Sequence, residues 1–327
     1  MLRLVAASMV VVGHAWPLTG LADAPQFAGI RIHHLGVYVF FAISGHLLAT
    51  SWQRDSRALS FLIRRCARIF PALLVVVALS VFVIGPLATS ARQPGYWSSP
   101  DTWQYLLSAV LLAQYDLPDV FASNPETTVN GSLWSLGVEF CCYLMLVGTA
   151  LLGRRIRMML QLVLVLSLGS AVLLGLVTGP MHTTAVAVVF FMLGAFAARG
   201  SELSTWPIWP AVVGLVLIAP LQGRAGTLLA WPVVVYVVVA VGSHRSAAAG
   251  IIRRLGDPSY GIYLWGYIVQ QLVVEFTPRM PLAWNVLTVL GSTAVLGFAS
   301  WHLLEKRAVA LGARLSARDL SLPRHFV

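Results

Sequence analysis

Charge is what this sequence has least of. Only 10% of its 327 residues are Asp, Glu, Lys or Arg, against about 25% in an average soluble domain. A water-soluble fold built from it would have almost nothing to cover its surface, so soluble and disordered classes are excluded. Cysteine is nearly as scarce: Cys66, Cys141 and Cys142 lie in or beside apolar runs without CxxC spacing. They read as packing residues, which excludes a disulfide-stapled fold. No metal is expected. Acids number 12 against 22 Lys and Arg, a net charge of +10. In a soluble protein that excess would point to nucleic acid; here it reads as asymmetry between loops on the two sides of a bilayer, with no nucleic-acid partner.

What the chain has is apolar length. Hydrophobic residues make up 58%, and runs of about 20 recur throughout, each able to cross a hydrocarbon core of about 30 Å. The fold class is therefore all-α, a polytopic transmembrane helical bundle. Ten spans are placed at about 4–22, 34–52, 66–88, 131–152, 158–177, 181–198, 206–222, 225–243, 259–275 and 283–304. With the N-terminus in the cytoplasm, eighteen Lys and Arg fall on that side and four (Arg31, Arg92, Arg224, Arg279) on the other, a strong positive-inside pattern that leaves both termini cytoplasmic. Asp101, Asp116, Asp119 and Glu126 all lie in the external 89–130 segment. Trp97, Trp103, Tyr105 and Tyr115 in that segment suggest a short interfacial helix near 101–113.

Arg3, the apolar stretch after it and Ala22-Asp23-Ala24 resemble a cleavable signal peptide. Gly13 and His14 interrupt the apolar region, and cleavage would leave nine spans, so an uncleaved first helix is expected. The longest gap holds 42 residues, too few for a globular domain. The expected organisation is one membrane-embedded domain over 1–327, with about 306–327 as a cytoplasmic tail and no separate soluble domain.

Ionisable residues inside a bilayer cost about 2.5–3.5 kcal/mol each on insertion scales. His14 and Arg3 are eleven residues apart, which puts them on one helix face about 16 Å apart, with His14 near mid-membrane. His14 is either satisfied by a neighbouring helix's carbonyl or a buried general base. Glu139 lies about 12 Å into the fourth span, at a depth similar to His14. It is either a packing carboxyl or the partner of that histidine in acid–base work. His46 could join the site, but a structural role is favoured. Arg65 and Arg68 share a helix face just before Pro71. They are either an ordinary positive-inside stop signal or a clamp for an anionic ligand's phosphates.

Six motifs then give these residues a family. Arg3-x10-His14, GVYVFFAISGHLLA at 36–49, Arg65-Cys-Ala-Arg68-Ile-Phe-Pro71, Trp134-Ser-Leu-x-x-Glu139, GDPSYGIYLWGYIVQQ at 256–271 and Leu304-Glu305-Lys306 occur in order. Together they resemble the acyltransferase-3 family of bacterial integral-membrane O-acyltransferases nearly end to end. The resemblance implies transfer of an acyl group, usually acetyl, from cytoplasmic acyl-CoA to a hydroxyl. The acceptor would be a sugar, a lipid-linked glycan or an exported small molecule at the bacterial cytoplasmic (inner) membrane. It implies His14 as catalytic base, Arg3 as its essential partner, Glu139 in the core, and Arg65 and Arg68 on the acyl-CoA side. Gly266 stands where many relatives carry a histidine, and the lead-in before Arg3 is short. The rival reading is a proton-coupled transporter or lipid-carrier flippase using His14 and Glu139 as a relay; the lack of inverted repeats argues against it.

Overall fold

A computed structural model of the chain describes residues 1–22, 24–89, 95–198, 207–244, 250 and 255–318. Topological charges at Arg92, Arg199, Arg245, Arg253, Arg254 and Arg324 lie outside the described residues. The helices are α1 (Leu2–Leu18), α2 (Ile32–Arg54), α3 (Ala58–Leu79), α4 (Gly85–Ala88), α5 (Pro100–Gln104), α6 (Trp134–Ala150), α7 (Arg154–Leu173), α8 (Gly179–Ala197), α9 (Trp209–Ile218), α10 (Gly223–Ser243), α11 (Ser259–Phe276), α12 (Leu282–Ser300) and α13 (Lys306–Arg318). Among the described residues β structure is limited to one hairpin of two-residue strands and an isolated bridge between Thr89 and Val120, which confirms the all-α class.

Among the described residues seven helices are long and apolar enough to cross a membrane, so the chain is a multi-pass membrane protein. α1, with 17 residues, and α9, with 10, are shorter apolar helices. The span expected at 206–222 is thus realised as ten helical residues, about 15 Å of rise, half the hydrocarbon thickness. Pro210 opens α9 at its first turn, and Pro220 disfavours helix at the residue before it.

The chain divides into two compact units, each discontinuous: Met1–Ser51 with Ser135–Leu255, and Trp52–Trp134 with Gly256–Val327. In the first unit, α1 and α2 are joined through the hairpin Gln26–Phe27/Ile30–Arg31. Its two turn residues, Ala28 (φ 50°) and Gly29 (φ 76°), both have positive φ, as a two-residue turn matched to strand twist requires. The two helices run antiparallel and very close. A Cβ on Gly13 would meet the His33 backbone nitrogen at 2.5 Å, and one on Gly36 the Ala6 carbonyl at 2.6 Å. α8 covers α2's other side the same way, Gly45 lying against the Phe191 carbonyl and Gly194 against the Ala42 carbonyl. Small residues allow such backbone approach where hydrocarbon supplies no hydrophobic drive between helices. Phe190 stacks on Tyr38 at 5.1 Å between these contacts.

In the second unit, α3 continues through a π-turn (Ser80–Ile84) into α4 as one 31-residue apolar stretch. The π-turn loosens the regular ladder, and the Tyr96 phenol donates to the Val81 carbonyl at 2.7 Å. Burial pushes that phenol up to about 12, so it stays a donor at any physiological pH. The short helix expected near 101–113 is present as α5 followed by a 3-10 turn, Tyr105–Val110. Thr102, Tyr105 and Ser108 face inward while Trp103, Leu107 and Val110 are exposed. Trp97, Trp103 and Phe82 cluster with centroids 6.1–6.4 Å apart, all three exposed beside the long helix.

α11 anchors the segment before α6. Asn130 donates to the Leu264 carbonyl (3.1 Å), Tyr263 to Ser132 O (2.9 Å), Asn124 to Gln271 Oε1 (2.9 Å), and Gln271 Nε2 to the carbonyls of Glu126 and Thr128 (2.7 and 2.6 Å). Gln271 of the 256–271 motif therefore satisfies loop carbonyls, while Gln270 donates to the Asn285 side chain on α12. α13 lies on α3, with Gly312 against Ala67 and Ser60 donating to Ser316 O at 3.3 Å.

Candidate active site

Three polar clusters hold the residues that the sequence singled out. The first centres on His14, one turn from the C-terminal end of α1 rather than at its middle. Its Nδ1 lies 2.8 Å from the Val10 carbonyl, one turn back. A carbonyl only accepts, so Nδ1 is the donor in this bond. His33, at the start of α2, packs its ring 4.7 Å from that of His14 and donates from Nδ1 to the Gly13 carbonyl at 3.2 Å. His34 follows at 4.4 Å from His33. The residues therefore assemble three imidazoles where the sequence analysis anticipated one. The missed signal was the adjacent pair His33-His34 at the edge of a span, where two ionisable groups are costly. Antiparallel neighbours place His14 and His33 at the same level.

The second cluster is Glu139. Its Oε1 accepts from Ser44 Oγ on α2 and from Tyr143 OH one turn along α6, each at 2.5 Å. Ser44 is eleven residues beyond His33, about 16 Å along α2. At that end α2 faces the start of α1, with the Arg3 guanidinium 5.9 Å from the Phe40 ring. Glu139 thus sits at the level of Arg3, a full three turns from His14, and the expectation of a shared depth is corrected. The reason is the tight α1–α2 hairpin, which brings His14 close to one end of its helix while Glu139 enters eight residues deep into its own.

The third cluster is in the second unit. Arg68 donates from Nη2 to Asp257 Oδ2 (2.8 Å) and from Nη1 to Glu305 Oε2 (3.1 Å). Its guanidinium also lies 5.6 Å from the Tyr260 ring and 5.3 Å from that of Trp301. Glu305, only 1% exposed, takes a further bond from Ser300 Oγ at 2.8 Å. Gly256 turns the chain into α11 at φ 107°, its Cα against the Trp301 indole, a place no side chain fits. A second π-turn, Trp301–Glu305, sets Glu305 and Trp301 around the arginine. Three motifs far apart in sequence thus converge on one guanidinium. Arg65, in contrast, lies over the Phe61 ring at 5.7 Å. Arg64 pairs with Asp55 at 3.0 Å, and Arg57 does so too; the two hold that carboxyl down at about 2.

Among the described residues no His, Cys, Asp and Glu group has the arrangement of a metal site. These three histidines lie together in a multi-pass bundle, His14 packed against His33 and His33 against His34. Residues 1–303 match the family described as "Acyltransferase domain", and the chain belongs to this acyltransferase-3 family. It is 28% identical to an "O-acetyl transferase" of Shigella phage Sf6, over 93% of each chain. It is 30% identical to "Nodulation protein 10" of Rhizobium leguminosarum bv. viciae, over 98% of this chain and 95% of that one. A "Peptidoglycan O-acetyltransferase" of Listeria monocytogenes is 24% identical over 86% of this chain and 52% of its own length. No solved structure matches.

Proposed function

We propose that this membrane acyltransferase moves an acyl group, most simply acetyl, from cytoplasmic acyl-CoA to a hydroxyl of a sugar, lipid-linked glycan or exported small molecule. Its place is the bacterial inner membrane, with the N-terminus in the cytoplasm as the loop charges suggest. The family and the names of the Shigella phage and Listeria relatives support O-acyl transfer. The observation that carries the chemistry is the contact between His14 Nδ1 and the Val10 carbonyl. With Nδ1–H committed to Val10 O, Nε2 is the basic atom.

In this reading Nε2 takes the proton of the acceptor hydroxyl as its oxygen attacks the thioester carbonyl. The tetrahedral intermediate collapses, the C–S bond breaks, and the imidazolium returns the proton to the leaving thiolate. The products are an O-acyl ester and free coenzyme A. His33 is a positioning residue: its ring and its bond to Gly13 O fix α1 and the His14 ring together. Exclusion of water limits wasteful hydrolysis of the thioester. Glu139, at the Arg3 level, belongs to the donor half of the path in this scheme. Arg65 is proposed to meet the donor's phosphates. Arg68, already bridged by two carboxylates, acts by fixing the helix that carries Arg65. Envelope glycans and secreted metabolites from a deletion strain and its parent, compared by mass spectrometry, test the reading. Loss of an acyl mass increment on one hydroxyl compound is expected. Identical spectra, with the protein shown to be expressed in the parent, would overturn it.

A further inference from the structure

Two imidazoles that the chemistry above does not use stand at the hairpin end of the first unit. His34 packs 4.4 Å from His33, whose ring lies 4.7 Å from that of His14. His182 comes from the first turn of α8. Tyr38 links the two: its ring stacks on His34 at 6.2 Å and on Phe190 of α8 at 5.1 Å. Its hydroxyl pairs with Thr183, the neighbour of His182, and His34 lies within electrostatic reach of both His182 and Arg31. His34 and His182 are half-buried, and neither side chain has a hydrogen-bond partner among the described residues. Charge at this end has one sign. Arg31, the last residue of the hairpin, is exposed and forms no ion pair among the described residues. Arg224, exposed at the start of α10, brings Nη2 within 3.7 Å of the place a Cβ on Gly175 would take, in the loop before α8. That start of α10 also abuts the hairpin, Gly29 against Gly223. Glu139, three turns away, is the only acid among the described residues of this unit.

We propose that the acceptor is a hydroxyl compound bearing a carboxylate or phosphate, such as an acidic or phosphorylated sugar, with His34 and His182 binding its hydroxyls and Arg31 its anionic group. The proposal rests on the acyl-transfer reading above and narrows its acceptor to a chemical class. A hydroxyl both donates and accepts, so it satisfies either nitrogen of a neutral imidazole. A guanidinium forks onto the paired oxygens of a carboxylate or phosphate. The order of groups gives the acceptor a direction: Arg31 stands outermost, His34 and His182 follow, and His33 leads to the base. A cationic acceptor would be repelled from this end, and a neutral one would gain nothing from Arg31 and Arg224. Carboxylate and phosphate meet the same side chains, and the test separates them.

The compound that carries the acyl group in the parent strain and lacks it in a deletion strain is isolated and deacylated with mild alkali. It then serves as acceptor for membranes supplied with radiolabelled acetyl-CoA. Its fragment ions are expected to show a carboxylate or a phosphate, and they tell the two apart. With protein amounts matched, His34→Ala and His182→Ala should each raise the acceptor KM severalfold, as loss of one hydrogen bond does. The KM for acetyl-CoA should stay at the wild-type value, and His34→Asn and His182→Gln should recover part of the loss. Raising sodium chloride from about 0.1 to about 1 M shortens the screening length from about 10 to about 3 Å. That should raise the acceptor KM of the wild type, and the dependence should flatten when Arg31→Gln and Arg224→Gln are combined. Both arginines are exposed, so this variant keeps the fold, and a merely structural role would leave the salt response unmoved. A neutral acceptor, an acceptor KM unmoved by the histidine substitutions, or an unchanged salt response in the double variant each overturns the assignment and leaves acyl transfer standing. No acyl difference between the strains sinks both.

Discussion

Replacing Arg68 with alanine separates two roles that its motif could serve. Glu305 is 1% exposed and the Arg68 side chain 15%, with 3.1 Å between their polar atoms. Removing one partner of a buried pair leaves an uncompensated charge and costs about 3–5 kcal/mol. The Asp257 contact is shorter, at 2.8 Å, but that carboxylate is 36% exposed, so water screens it and it adds at most about 1 kcal/mol. The expected result is a fall of several degrees in the unfolding midpoint of the detergent-purified protein. Arg68→Lys should land in between, because one ammonium cannot fork to two carboxylates as a guanidinium does. Glu305→Gln in the Arg68→Ala background should restore much of the loss, since the buried charge is gone. A double-mutant cycle reads that coupling. An unchanged midpoint in Arg68→Ala, with the KM for acetyl-CoA raised tenfold, would refute the reasoning and make Arg68 a phosphate ligand.

His33→Ala is expected to lower kcat by about 10–100-fold, the penalty for a loosely held base, with KM for the donor unchanged and His33→Asn partly restoring the rate; kinetics on isolated membranes check this. Gly13→Ala and Gly45→Ala should strip folded protein from the membrane fraction, because their Cβ atoms would overlap backbone atoms of His33 and Phe191. Gly291→Ala, which meets open space, should be neutral or slightly stabilising in the same fractionation, since alanine favours a helix interior. Asp55→Asn should cost under about 1 kcal/mol at neutral pH, as the pair is partly exposed. Its carboxyl is depressed from 3.8 to about 2. The wild-type advantage is therefore present above about 3.8 and fades as pH falls toward 2. An acid titration of both proteins' midpoints reads it.

The helical class was legible in the sequence, because twenty-residue apolar runs leave a chain no other way to satisfy its backbone in hydrocarbon; of the ten spans expected, seven have the length and apolarity of a crossing among the described residues. The short α9 was not legible, since an apolar run looks the same whether or not prolines trim its helix. Arg3 and His14 share a face by arithmetic on one helix, which periodicity reads directly. What periodicity cannot read is the register between helices. Glu139 looked level with His14 because depth was counted inward from each helix's own end. The glycine contacts of α1 with α2 shift that frame and bring His33 to His14 and Ser44 to Glu139. Arg68 belonged to a visible motif, yet its partners lie 189 and 237 residues away, beyond the reach of any local pattern. Gln271 is the reverse case: its motif was quoted without a role, and the structure supplies a carbonyl clamp.

His14 as the base that drives acyl transfer is the claim on which the rest depends. Membranes bearing the wild type or His14→Ala, matched for protein amount, can be supplied with radiolabelled acetyl-CoA and the acceptor that mass spectrometry identifies. Label reaching the acceptor and thiol released as coenzyme A are followed together. The account predicts that the wild type produces both in equal amounts and that the variant loses about 10²–10⁴-fold in rate, the usual contribution of a positioned general base. Transfer at the wild-type rate by His14→Ala would contradict it.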